Sequence, residues 1–204
     1  MIKQAAFAVG CAILFPYGQG QTVTVTAVPG PDETISQKYV ALDGECRRLV
    51  SERQHPAEAV TACKQVAEQA DQFAPQSHFI TRRGAFVYYT SALTQAKDYK
   101  AAVTSADKAV AVVLLGHDDA SGSSAAYGVR GQARAFAGDL AGADKDLERA
   151  ETYQRNGLNS PAGQELKAEY SRTLKALLMF HAKVLDALGN NDAAIKRRDE
   201  ANAL

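Results

Sequence analysis

The sequence lacks tryptophan, contains only 7% aromatic residues, and shows no excess of charge, with 23 basic and 23 acidic side chains among 204 residues. A nucleic-acid-binding groove normally raises the isoelectric point well above neutrality and carries aromatic side chains that stack on bases. Nucleic acid is therefore not an expected partner. The length fits one globular domain that can bury its own core.

The residue patterns of common catalytic and metal sites are also missing. The four histidines lie on separate segments, and no His-Glu-x-x-His, Cys-x-x-Cys, Gly-x-Ser-x-Gly or phosphate-binding glycine loop is present. We therefore predict no enzyme activity, no metal and no cofactor. His181, which follows Phe180 in a helix-packing position, is predicted to be a buried histidine with one ring nitrogen hydrogen-bonded.

The sequence has no hydrophobic run long enough to cross a membrane, and its longest hydrophobic run lies near the start. Lys3 precedes an apolar run over residues 5–15, and small residues follow up to Gly20, which is the outline of a secretory signal peptide. We predict a leader over residues 1–20, cleavage near Gly20, a periplasmic or secreted location, and no membrane span in the mature chain. A lipid anchor at Cys11 is disfavoured, because the apolar run continues beyond it.

The rest of the chain is predicted to be all-helical after a short arm. Residues 21–34 alternate valine and threonine and then carry Pro29 and Pro31, so we expect an extended or disordered arm. After this arm only three prolines occur, and apolar residues recur at three- and four-residue steps. The 38 alanines, nearly a fifth of the chain, favour closely packed helices.

A repeated pattern of small residues gives the most information about the fold. The segment from Arg130 to Ala133 is followed by a Gly138-Asp139 turn and then by Ala143 and Ala150, seven residues apart. This pattern resembles the tetratricopeptide (TPR) repeat, with Gly131 as the small residue of the first helix, and together with the predicted leader it indicates an exported bacterial member of that family. The resemblance implies antiparallel helix pairs that approach closely where the facing residues are alanine or glycine.

The same frame recurs along the chain. The turn falls at Lys97-Asp98 and at Gly189-Asn190, and a weaker copy begins near His55-Pro56. The small residues expected at helix crossings are Ala59, Ala102, Ala109, Gly131, Ala143, Ala150, Ala194 and Ala201. Equivalent alanines are 43, 41 and 51 residues apart, whereas the family repeat is about 34 residues long.

The resemblance implies an all-α fold over residues 35–204. The expected architecture is a right-handed superhelical array of antiparallel helix pairs, a TPR-like α-solenoid of about four repeats with atypical first and last repeats. Arg134 stands where the family has an aromatic residue and is expected to reach toward solvent. Arg198 is expected on a polar outer face, because no repeat follows the last helix.

In this frame Cys46 lies on the first helix and Cys63 on the second helix of the same repeat, in positions that face one another. An exported protein meets an oxidising compartment, in which neighbouring thiols form disulfides. We predict a Cys46–Cys63 disulfide that stabilises the weakest repeat. The alternative is two buried free thiols.

The resemblance also implies a concave surface, lined by the first helices, on which a protein or peptide partner lies. The candidate partner-binding residues are Arg48, Glu52, Val87, Ser91, Gln95, Gly128, Gln132, Phe136, Met179, Lys183 and Asp186. This set lacks the lysine, arginine and asparagine cluster with which some family members hold a terminal carboxylate. Phe136 and Met179 either anchor an apolar side chain of the partner or pack between repeats.

We therefore expect an exported scaffold or adaptor that binds a protein or peptide partner without catalysis. The alternative is an accessory or structural subunit of a cell-envelope assembly or secretion complex, in which residues 21–34 dock on a partner. A more remote alternative is an enzyme with an unrecognised site, which would need a deep polar pocket with perturbed ionisable groups.

Overall fold

The computed structural model describes residues 37–73, 78–116 and 119–204, and in these ranges it contains helices and no strand. The predicted leader and arm, with Cys11 and Gly20, lie outside the described residues. The helices are α1 (Gln37–Glu52), α2 (Pro56–Ala70), α3 (Phe79–Gln95), α4 (Tyr99–Leu114), α5 (Ala120–Ala137), α6 (Leu140–Asn159), α7 (Pro161–Glu165), α8 (Lys167–Ala187) and α9 (Asn191–Ala203). The predicted all-α class is confirmed.

The helices pack as four consecutive hairpins, α1–α2, α3–α4, α5–α6 and α8–α9. Each second helix also packs on the first helix of the next hairpin, so the hairpins stack in chain order. The predicted array of helix pairs is confirmed. The long final spacing comes from α6 and α8, of 20 and 21 residues, and from the five-residue α7 between them.

The turns inside the last three hairpins share one backbone geometry. Lys97, Gly138 and Gly189 have φ of 63°, 91° and 79°, the left-handed conformation that ends a helix and that glycine adopts without strain. In each turn the next residue donates its amide to a carbonyl five residues earlier, as Asp139 does to Arg134 at 2.9 Å. The Asp139 carboxylate then accepts the Gly142 amide and caps α6.

The second-helix alanines expected at the crossings are all fully buried. The side chains with no exposed surface include Ala59, Ala102, Ala109, Ala143, Ala150, Ala194 and Ala201. At Gly131 an added Cβ would lie 2.9 Å from Leu147 Cγ and 3.2 Å from the Ala143 carbonyl oxygen. The α5–α6 crossing therefore has no space for a side chain at this position.

Gly131→Ala tests this close approach. We expect a net loss of about 1–2 kcal/mol in the free energy of unfolding, because overpacking at the crossing outweighs the higher helix propensity of alanine. The matched control is Gly44→Ala in α1, where an added Cβ meets nothing within 4 Å, and it is expected to stabilise the protein by up to about 1 kcal/mol. Urea unfolding of both variants measures the difference, and equal stabilities would contradict the tight crossing.

Arg134 does not reach into solvent as the sequence suggested. Its Nη1 donates to Asp146 Oδ2 at 2.8 Å, and Arg130 Nη2 donates to the other oxygen of the same carboxylate at 2.7 Å. The Asp146 side chain is buried, so two cations compensate one buried charge. Arg198 pairs with Asp186 of α8 at 2.6 Å on the outer face of the last hairpin.

Candidate partner-binding surface

The predicted partner-binding residues fall into three groups. Arg48, Glu52, Met179, Lys183 and Asp186 are exposed, Ser91, Gln95 and Phe136 are partly buried, and Val87, Gly128 and Gln132 lie in the interior. The face of the first helices is therefore open at the two ends of the array and largely covered in the middle.

Val87 and Gln132 were wrongly expected on the open face. They are 3% and 4% exposed, and Val87 belongs to the main hydrophobic core. The reason is that α3 and α5 pack directly on one another in addition to their own partner helices. This packing covers the side of α3 and α5 on which Val87 and Gln132 lie, a side that would stay open if the hairpins were further apart. Neither side chain can therefore contact a partner.

Ser91 and Gln95 use their polar groups inside the protein. Ser91 Oγ donates to the Val87 carbonyl oxygen at 3.0 Å, within α3. Gln95 Nε2 donates to the Val50 carbonyl oxygen at 2.9 Å and so ties the end of α3 to α1. These hydrogen bonds give both residues a structural role.

Phe136 is part of a row of aromatic contacts between hairpins. Its ring stacks on Tyr99 of α4 with centroids 5.4 Å apart, and it lies 5.9 Å from the ring of Phe180 in α8. Of the two roles considered for Phe136, these contacts favour packing between repeats.

At the start of the array, Arg48 is already neutralised on its own helix. Its guanidinium donates to Glu45 Oε1 at 2.7 Å and to Glu52 Oε2 at 2.6 Å. The hydrogen bond from Arg48 lowers the pKa of Glu45. A partner that bound Arg48 would first have to displace these two carboxylates.

The open surface at the end of the array lies on α8. Met179 is 38% exposed, and Lys183 is exposed one turn further on. Arg172 and Lys175, which sequence reasoning did not select, lie on the same face, because the four positions follow three- and four-residue helical steps. The signal that could have identified them was the extension of this face toward the N-terminus of α8.

A surface cavity of about 580 Å³ lies beside the first half of this face. Its lining residues are Lys167, Ala168, Ser171, Arg172, Lys175 and Leu204. The cavity combines three cations with the apolar side chains of Ala168 and Leu204, so it suits an anionic group attached to an apolar one.

A second cluster of ionisable groups joins the last two hairpins. His181 of α8 is 1% exposed, and its Nδ1 lies 2.6 Å from Glu151 Oε1 while its Nε2 lies 2.7 Å from Asp144 Oδ1. Arg197 of α9 and Arg155 of α6 also reach Glu151, at 3.0 and 3.2 Å. The expectation of one hydrogen-bonded ring nitrogen was wrong, since both nitrogens face carboxylates.

The surroundings of His181 favour its charged form. Burial lowers the pKa of His181, but the hydrogen bonds to Glu151 and Asp144 outweigh burial, so the pKa is raised. Only the imidazolium can donate a hydrogen bond to both carboxylates. We name His181, Glu151, Asp144, Arg155 and Arg197 the Glu151 cluster; it holds α6, α8 and α9 together.

The raised pKa of His181 predicts a pH dependence of stability. Its contribution is fully present below about pH 6.5, the ordinary value of an unfolded histidine, and is lost as the pH rises through the higher folded-state pKa. The unfolding free energy of the wild type should therefore decrease as the pH rises above about 6.5, and His181→Gln should not show this decrease. Urea unfolding across a pH series measures the slope, with His55→Gln at an exposed site as control. Equal slopes in wild type and His181→Gln would contradict the assignment.

Cys46 and Cys63 form a disulfide between α1 and α2, as predicted, and their Cα atoms are 4.8 Å apart. Both residues are fully buried in the core of the first hairpin. This disulfide is consistent with an oxidising compartment.

Neither a candidate metal site nor a candidate membrane span occurs in the described ranges. Within them, no group of three or more histidine, cysteine or acidic residues could hold a metal ion. None of the helices in that part of the chain is long and apolar enough to cross a membrane.

The stacked hairpins and their glycine or lysine turns define a TPR-like repeat fold. A solved structure from Podosopora anserina, assigned as a kinesin light chain with nearly identical TPR-like repeats, matches it with a TM-score of 0.52. The two sequences are 18% identical, and the match covers 81% of this chain and 94% of that chain. No protein-family model and no curated protein matches the chain. At this identity the likeness shows the fold alone.

Proposed function

We propose that the protein is an exported scaffold or adaptor that binds a protein or peptide partner on the open face of its first helices, without catalysis. The TPR-like fold supports a protein-interaction role, and folds of this class are typically non-catalytic. The observation that carries the proposal is the exposed face of α8, the first helix of the last hairpin, where no other part of the described ranges covers Met179 and Lys183.

Two observations support export. The first twenty residues have the outline of a cleaved leader, and the buried Cys46–Cys63 disulfide requires oxidising conditions to form. Intact mass measurement of the protein purified from the cell envelope should give a chain that begins near Gln21. A full-length chain recovered from the cytoplasm would contradict export.

Site-specific photo-cross-linking in cells tests the binding face. A photoreactive amino acid at Met179 is expected to give a discrete cross-linked species. The matched control is the same amino acid at Lys145, an exposed position on the second helix α6, where no such species is expected. A species that forms equally from both positions, or from Lys145 alone, would contradict the proposed face.

A further inference from the structure

A row of basic side chains runs along the exposed face of α8. Its members, which we call the α8 basic row, are Lys167, Arg172, Lys175 and Lys183. Met179 interrupts the row between Lys175 and Lys183. From the first lysine to the last the row spans about 24 Å along the helix axis.

From Lys175 to Lys183 the row is one side chain wide. The neighbouring α8 positions Leu174, Leu177 and Leu178 are at most 2% exposed and belong to the interior. The cations are therefore presented as a line, which matches an extended chain segment better than it matches a flat charged surface.

Within the described ranges, the α8 basic row is also not neutralised by carboxylates. Most arginines in the described ranges contact a carboxylate, as Arg130 and Arg134 do with Asp146. In those same ranges Arg172, Lys175 and Lys183 have no carboxylate within salt-bridge distance, and the nearby Asp186 is paired with Arg198. A chain with equal numbers of acidic and basic groups thus concentrates unpaired positive charge on one helix face.

We propose that the α8 basic row binds an extended acidic peptide segment of the partner, with one apolar side chain of that segment against Met179. This inference rests on the proposed scaffold function and names the chemistry of the partner. An extended segment of about seven residues matches the length of the row, and acidic residues at alternate positions present their carboxylates on one side about 7 Å apart. Charge complementarity accounts for the attraction, and the cavity beside Arg172 and Lys175 accommodates an acidic side chain.

Fluorescence anisotropy with a labelled, extended peptide of about eight residues tests the proposal directly. Glutamates and one leucine occupy alternate positions, with serine between them, so that the glutamates and the leucine face the row together. The control peptide has glutamine in place of glutamate. The variant Arg172→Glu/Lys175→Glu/Lys183→Glu reverses the row, and Lys100→Glu/Lys145→Glu/Lys196→Glu makes the same change in net charge at exposed positions on α4, α6 and α9. Thermal unfolding by circular dichroism confirms that both variants remain folded.

We expect the wild type to prefer the glutamate peptide, and the row variant to bind it at least about tenfold more weakly. The control variant should retain most of the affinity, and added salt should weaken binding. Equal losses in both triple variants would overturn the proposal, as would equal binding of the two peptides. Binding of anionic vesicles or of single-stranded oligonucleotide in preference to the acidic peptide would also overturn it.

The two proposals fail separately. If Met179 cross-links a partner in cells while the glutamate peptide is not preferred, the scaffold function stands and the acidic chemistry is wrong. If the peptide binds through the row but no partner is cross-linked from Met179, the charge recognition is correct and the proposed binding face in the cell is wrong.

Discussion

Glu151→Ala is expected to lower the free energy of unfolding by about 3–5 kcal/mol, the usual cost of removing one partner from a buried ion pair. Glu151 has no exposed surface and contacts His181, Arg155 and Arg197 from three helices. Without its carboxylate, the two guanidinium groups and the imidazolium lose their common counter-charge. The last hairpin should be the first part of the chain to detach.

Chemical unfolding monitored by circular dichroism measures this loss. The matched control is Glu148→Ala, an exposed glutamate one turn earlier in α6, which should change stability by less than about 0.5 kcal/mol. Glu151→Gln keeps the shape and part of the hydrogen bonding, so its cost should fall between the two. A Glu151→Ala protein as stable as the Glu148→Ala protein would show that the cluster does not hold the hairpins together.

Removing the disulfide with Cys46→Ala/Cys63→Ala is expected to lower the free energy of unfolding by about 3 kcal/mol. The reason is that the bond closes a loop between the two cysteines and so restricts the unfolded chain. The cysteines are 17 residues apart and join α1 to α2. The first hairpin has a neighbouring hairpin described on one side only, so it has fewer inter-repeat contacts with which to compensate.

Guanidinium unfolding with and without reductant gives the comparison. The wild type should lose stability on reduction, while the double alanine variant should be insensitive to reductant. Proteolysis of reduced protein should cut first within residues 37–70. A wild-type unfolding midpoint that does not move on reduction would contradict the role of the bond.

The architecture could be predicted because its signals are local in the sequence. Alanines seven residues apart, such as Ala143 and Ala150, and the Gly138-Asp139 turn report the close crossing and the left-handed turn directly. Each of these signals depends on the size or conformation of a single residue. A single sequence is sufficient to recognise such features.

The exposure of the candidate partner-binding residues was predicted only in part, because exposure depends on how closely successive hairpins approach. The repeat frame gives the side of the helix on which Val87 and Gln132 lie, but not that α3 and α5 would cover that side. In the described ranges α6 and α9 pack on α8 but leave Met179 and Lys183 exposed.

The ionic networks were missed for a different reason. His181 and Glu151 are 30 residues apart, and Arg134 and Asp146 are 12 residues apart, so neither pair forms a sequence motif. Their pairing depends on the register of α8 on α6 and of α5 on α6. Only the three-dimensional packing shows that these buried charges have partners.

Native-state hydrogen exchange tests the stacked-hairpin account most directly. Helix α5 is surrounded by α3, α4 and α6, and residues 122–129 are buried without interruption. We expect the amides of α5 to exchange most slowly in the chain, with those of α9 at the outer face among the fastest helical amides. Exchange from α5 that is as fast as exchange from α9 would contradict the stacked array and, with it, the proposed binding face.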